Sequence, residues 1–172
     1  MDKFYVMVCG CIEDAACFES DDLVDPDTVH VLPQFYGEKL YDFVGISPGA
    51  GFLLSKRVVE ALHVHSITGF YAIPVKLVDI KKNESTDYSY IAVTGTCGKI
   101  DSTRSRAVIK KGYRALMGLY FDESTWDGTD MFIAQNTRQV FVTRKVKEVF
   151  DQLKVTNVDL AEQSKTPNYV IE

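Results

Sequence analysis

The sequence predicts an α+β fold: a single domain with a mixed or mostly antiparallel sheet that carries two related strand–helix–strand units. Three observations predict it. The chain has 172 residues, 46% of them hydrophobic, with ten Phe and nine Tyr, which suits one well-filled core at the usual size of a domain. Short runs rich in aromatic and β-branched residues recur along most of its length. The stretch GFLLSKRVVEALHVHSITGFYAIPV, Gly51 to Val75, returns in recognisable form as QVFVTRKVKEVFDQLKVTNVDL, Gln139 to Leu160. The domain is read as 1–172, with repeat units at about 51–75 and 139–160 and an acidic N-terminal segment at 1–38.

In each copy a short apolar run meets a hydroxyl residue, Ser55 or Thr143, suited to an N-cap that accepts a hydrogen bond from a first-turn N–H. The second helix places Val146, Val149, Phe150 and Leu153 on one face and Lys145, Lys147, Glu148, Asp151 and Lys154 on the other. The first keeps that pattern with Val58, Ala61 and Leu62 and adds Val59. Thr68-Gly69 and Thr156-Asn157 then end the helices with a residue that tolerates positive φ.

Taken in order, Lys3 to Cys11 reads as an opening strand. The acidic stretch after it predicts a long loop with a short extended piece at Val29 to Leu32. Lys39 to Ile46 is a second strand, and Ser47 to Ala50 a turn into the first repeat. Gly69 to Ile80 is extended, with Pro74 demanding an edge or a bulge because proline cannot donate to a ladder. Tyr88 to Thr96 alternates like its antiparallel partner. Ala107 to Phe121 fits either a strand and a short helix or two strands. Asp122 to Asp130 is an acidic loop, Met131 to Ala134 a strand, and Ser164 to Glu172 a polar tail.

No run approaches the ~18 apolar residues of a membrane helix, and the N-terminus lacks a leader pattern, so the expected location is the cytoplasm without membrane association. Cys9, Cys11, Cys17 and Cys97 are then expected to be reduced thiols. The net charge of −5 is uneven: Glu13, Asp14, Glu19, Asp21, Asp22, Asp25 and Asp27 follow one another without a cation, whereas Lys99, Arg104, Arg106, Lys110, Lys111 and Arg114 face only Asp101. Such blocks are solvated faces or steer a partner of opposite charge.

Several segments, LLSKRVVEAL with ITGFYAIPV, DYSYIAVTGTCGKID with Ser105 after it, and DGTDMFIAQNTRQVFVTRKVKEVF with VTNVDL, resemble the bacterial immunity proteins of polymorphic toxin systems, a family once filed as a domain of unknown function. The resemblance spans roughly Leu40 to Leu160 and fits a distant member. Its motifs are core and turn residues, and Ser66 and Lys154 stand where a glycine is expected after each helix. The resemblance implies a protein that binds and neutralises a cognate secreted toxin in the producing cell; the expected mode is stoichiometric occlusion, with no catalysis and no cofactor.

Other constellations carry less. Cys9-Gly10-Cys11 with Cys17 lacks the paired C-x(2–4)-C knuckles of a zinc site, and His63 and His65, two apart, point to different helix faces. The glycine-rich run Gly45 to Gly51 lacks the Gly-Lys-Ser/Thr ending of a phosphate loop. Cys97 between Gly95 and Gly98 suits a thiol enzyme only with a positioned base. The basic segment 99–114 offers a rival reading as a nucleic-acid-binding module, against which the acidic chain argues. For a cationic toxin, the acidic stretches are the expected contact: Asp21, Asp22 and Asp25, and Asp122, Glu123, Asp127 and Asp130 around an aromatic anchor, Trp126.

Overall fold

Strand-forming sequence dominates; some strands pair with the next one in a hairpin, as β10 does with β11, and others find partners far away in the chain, as β1 does with β13 and β14. The computed structural model describes residues 3–10, 12–19, 28–47, 51–110 and 113–169. The elements are β1 (Phe4–Cys9), β2 (Cys17–Glu19), β3 (His30–Tyr36), β4 (Phe43–Ser47), β5 (Phe52–Ser55), α1 (Lys56–Val64), β6 (Phe70–Val78), β7 (Glu84–Ser85), β8 (Tyr88–Val93), β9 (Gly95–Cys97), β10 (Arg106–Lys110), β11 (Tyr113–Met117), β12 (Met131–Ala134), β13 (Val140–Thr143), α2 (Arg144–Leu153), β14 (Val158–Glu162) and β15 (Pro167–Tyr169). The result is one small domain, mostly strand, with two helices.

A mixed sheet in the order β3-β2-β4-β5-β8-β6 closes on itself because β3 also runs parallel to β6, from His30 opposite Val75 to Pro33 opposite Val78. β7 extends β6 beyond the closure. Closure into a barrel removes free edges, and alternate residues fill the inside: Phe18, Leu32, Val44, Leu53, Val75 and Leu77. Pro74 sits at the last pair with β8, opposite Ser89, one residue before β3 takes over the other edge. Its missing N–H therefore costs no ladder bond. The expected antiparallel pairing of Tyr71–Ile80 with Tyr88–Val93 is present as β6 and β8.

A second sheet, β14-β1-β13-β12-β9, is antiparallel except for β9 beside β12. It is buried on both faces. Tyr5, Val140 and Val142 join the cluster that holds Val58 and Leu62 of α1 and Val146, Val149 and Phe150 of α2. Phe4, Val6 and Phe141 point the other way, into a cluster with Phe121, Phe132, Leu119 and Cys97. Strands covered on both faces read as continuous apolar runs rather than alternating ones, as in FYV and VFV.

The expectation of one sheet is corrected, since the strands divide among this sheet, the barrel and a third sheet, β10-β11-β15. Residues 107–121 resolve as two strands, β10 and β11, which pair from Arg106 opposite Met117 to Lys110 opposite Tyr113. The expected loop before Lys39 contains β2 and a seven-residue β3, and the polar tail supplies β15 against β11. For β2, β3 and β15, partners elsewhere in the sequence and not local propensity make the strand.

Candidate functional site

Two carboxylates organise the polar interior. Asp42, just before β4, accepts hydrogen bonds on Oδ1 from Ser55 Oγ at 2.8 Å and Arg57 Nε at 2.7 Å, and on Oδ2 from Thr156 N at 3.0 Å, Thr156 Oγ1 at 2.9 Å and a second Arg57 nitrogen. Asp130, just before β12, accepts from Thr143 Oγ1 at 2.8 Å, Thr68 N at 3.1 Å, Thr68 Oγ1 at 3.3 Å and Lys145 Nζ at 3.3 Å. The start of α1 is thus tied to the segment after α2, and the start of α2 to the segment after α1. Ser55 and Thr143 do not cap as expected: neither side chain accepts from its helix, and each hydroxyl is oriented to donate to an aspartate.

Burial by itself would raise the Asp42 carboxyl, but Arg57, Ser55 and Thr156 outweigh it and hold the pKa down at about 2. Asp42 is a fixed anion with every neighbour committed. It anchors the fold and has no spare lone pair aimed at solvent chemistry.

The acidic loop behaves similarly. Asp122 Oδ1 accepts from Ser124 N at 3.0 Å and Ser124 Oγ at 2.8 Å, starting the 3-10 turn Glu123–Thr125. Asp127 accepts from Thr129 N, Thr129 Oγ1 and, across to β9, Thr96 N at 2.7 Å; burial opposes its ionisation, and these bonds still lower its pKa. Glu123 pairs with Lys3 at 2.8 Å. Trp126 is half-buried, its Nε1 donating to Thr129 O at 3.0 Å, its ring packed on Phe4 and Phe132, and Lys3 Nζ 5.0 Å from the ring centre. The structure brings Asp122, Glu123, Trp126, Asp127 and Asp130 onto one connected stretch, each with an internal partner. Asp21, Asp22 and Asp25 lie outside the described residues.

Of the basic segment, Arg104 donates to Phe121 O at 3.1 Å and lies over the Tyr120 ring at 4.9 Å, which holds β10 against the loop after β11. His63 and His65 are both exposed, and His63 lies against Phe70. Among the thiols, Cys9 is exposed and Cys17 buried. Cys97 is 1% exposed, and burial, reinforced by Asp127, pushes its pKa up to about 11. A thiol held protonated and enclosed is the opposite of an activated nucleophile. Cys11 lies outside the described residues.

Sequence reasoning missed the role of Asp42 and the apolar outer wall of the barrel. On that wall Val31 and Phe35, each 58% exposed, stand on the outward row of β3, with Ile80 at 67% beyond the end of β6. The alternation Val31-Leu32-Pro33 held the signal, since Leu32 fills the barrel and its neighbours must face out. No helix of the described residues is long and apolar enough to cross a membrane. Compared with known proteins, the chain matches no family and no curated protein.

Proposed function

We propose that this protein is an immunity protein of a polymorphic toxin system, a cytoplasmic single domain over 1–172 that neutralises a cognate protein toxin by stoichiometric occlusion, without catalysis or a cofactor. The sequence resemblance from Leu40 to Leu160 motivates the reading. The observation that carries it over the thiol-enzyme rival is Cys97, enclosed and with its pKa pushed up to about 11. What the molecule offers a partner is surface: the acidic loop 122–130 and the apolar outer wall at Val31, Phe35 and Ile80. Exposed apolar patches and charged loops are each common parts of protein contacts.

We also infer two related strand–helix–strand units, about 51–75 and 139–160. In support, Asp130, Thr143, Lys145 and Thr156 each stand 88 residues after Asp42, Ser55, Arg57 and Thr68 (130 minus 42, and likewise for the others). They make corresponding hydrogen bonds.

The test begins with the neighbouring reading frame, expected to encode a large protein with a toxin domain, and continues by co-purification. The two chains should elute as one complex, and toxin activity should vanish at equimolar ratio. Cys97→Ser should leave neutralisation intact. Neutralisation lost with that change alone would favour the thiol enzyme, and salt-dependent binding of RNA or DNA without toxin binding would favour the basic segment 99–114.

A further inference from the structure

Among the described residues, the five-stranded sheet ends at β14, which pairs with β1 on one side and with no strand on the other. Gly10 N donates to Asn157 O at 2.9 Å. Ladder bonds alternate along an antiparallel pair, so Asn157, Asp159 and Ala161 turn their backbone groups to β1 while Val158 and Leu160 turn theirs outward. No hydrogen bond among the described residues engages those outward groups. Between this edge and the C-terminal half of α2 runs an open groove of about 390 Å³, with Phe150, Val155, Val158 and Leu160 among its lining. The side chains of Val158 and Leu160 pack on the α2 side. Asp159, between them, stands on the opposite face of the strand and is exposed. At the positions 88 residues earlier (151 minus 63, 158 minus 70), His63 lies against Phe70 with ring centres 5.5 Å apart. Two rings stand there, where α2 and β14 carry only Asp151 and Val158.

We propose that the β14 edge takes up an extended segment of a partner protein as an additional antiparallel strand, with the side-chain pattern apolar–basic–apolar. The segment's backbone exchanges N–H to O=C bonds with Val158 and Leu160. Its apolar side chains, opposite those two residues, enter the α2 groove, and the basic one lies opposite Asp159. The edge selects a polypeptide, because outward N–H and C=O groups repeating at strand spacing are matched by another extended backbone. The groove selects apolar side chains on one face, and Asp159 selects a cation on the other. A second copy of this chain is a poorer occupant. The two-fold register that uses Val158 and Leu160 of both copies sets Asp159 directly opposite Asp159, where like charges repel. The register centred on Leu160 calls on Glu162, whose carbonyl already accepts from Thr166 Oγ1 at 3.0 Å. The site rests on the sheet edge and not on the toxin reading, so neutralisation is not its readout.

The full chain is titrated with the peptide acetyl-Thr-Val-Lys-Val-Thr-amide and followed by amide NMR and hydrogen exchange. Saturable binding at millimolar concentration or below is expected, with exchange of the Val158 and Leu160 amides slowed at least fivefold at saturation. Methylating the two valine nitrogens of the peptide, which face β14, should weaken binding at least tenfold. Asp159→Lys, a change at an exposed position, should reverse the charge preference, so that the same peptide with glutamate in place of lysine binds at least fivefold more tightly than the original. Val158→Phe with Asp151→His, which imports the residues found 88 positions earlier, should fill the groove and abolish binding while the amide spectrum stays that of the folded chain. No saturable binding, binding indifferent to methylation or to Asp159→Lys, shifts that map away from β14 and α2, or dimerisation that protects the same amides without peptide would each overturn the proposal.

Discussion

Asp42 is a residue whose local sequence, Tyr41-Asp42-Phe43, gives no hint of importance, yet its carboxylate collects donors from β5, α1 and the segment before β14. Removing one partner from such a network leaves the others desolvated and unpaired. Asp42→Asn should therefore cost about 2–3 kcal/mol in urea unfolding at pH 7. Arg57→Ala should cost only about 1, because the Arg57 side chain is half exposed and its charge is screened. The pH dependence has a definite sign. The carboxyl titrates lower in the folded state, at about 2 against an ordinary 3.8, so its contribution is complete above about pH 4 and is lost as pH falls through 2. The stability gap between wild type and Asp42→Asn should close over that window. A gap unchanged down to pH 2 would refute the role assigned to Asp42.

At the scale of elements, α2 is held by one face. Val146, Val149 and Phe150 are buried against Tyr5 and Val142, and truncating Phe150 to Ala should cost about 3–5 kcal/mol. Lys147 pairs with Asp151 and its Nζ lies 5.6 Å from the Tyr5 ring centre, so Lys147→Ala should cost about 0.5–1 kcal/mol, more than a bare surface lysine. The helix ends show a different tension. Ser66 at φ +51° and Lys154 at φ +53° occupy left-handed backbone after α1 and α2, where a Cβ is strained and glycine is not. Lys154→Gly is expected to raise stability by about 1 kcal/mol, readable as a higher urea midpoint at unchanged slope. Gly69 has the opposite status: at φ +89° an added Cβ would strike the Met131 carbonyl, the atom next to the hydrogen bond from Met131 N to Thr68 O.

For the molecule as a whole, the question is which surface is free to meet a partner. Trp126, expected as an aromatic anchor, is shared between the loop and the cluster of Phe4, Phe121 and Phe132. Trp126→Ala should therefore lower the stability of the free protein by about 2–3 kcal/mol before any partner is added. A variant of unchanged stability that still lost its partner would instead make Trp126 an anchor. Asp127→Lys would break three bonds to Thr129 and Thr96, so charge tests belong on Glu123, whose bridge to Lys3 is exposed on both sides. The outer barrel wall is the cleaner test. Phe35→Ser should leave the unfolding free energy, read by urea titration, within about 0.5 kcal/mol of wild type, and if that wall contacts the toxin it should slow or abolish complex formation.

The sequence by itself determined the two amphipathic helices and the strands that run into them, because periodicity of 3.6 and apolar continuity are properties of neighbouring residues. It also marked Gly69 and Asn157 as turns, and both take positive φ. It could not determine that β3 returns to β6 and closes a barrel, that residues 17–19 and 167–169 become strands, or that the hydroxyls of Ser55 and Thr143 donate rather than accept. Those outcomes depend on which segments meet outside any local window, from Ser55 on Asp42, 13 residues away, to Thr156 on Asp42, 114 residues away. The candidate site followed the same division: the sequence located the acidic loop and Trp126 but not their internal commitments. A strand's partner and a carboxylate's donors are supplied by the tertiary structure, since hydrogen-bond satisfaction in the interior is settled by what packs alongside, not by what precedes or follows in the chain.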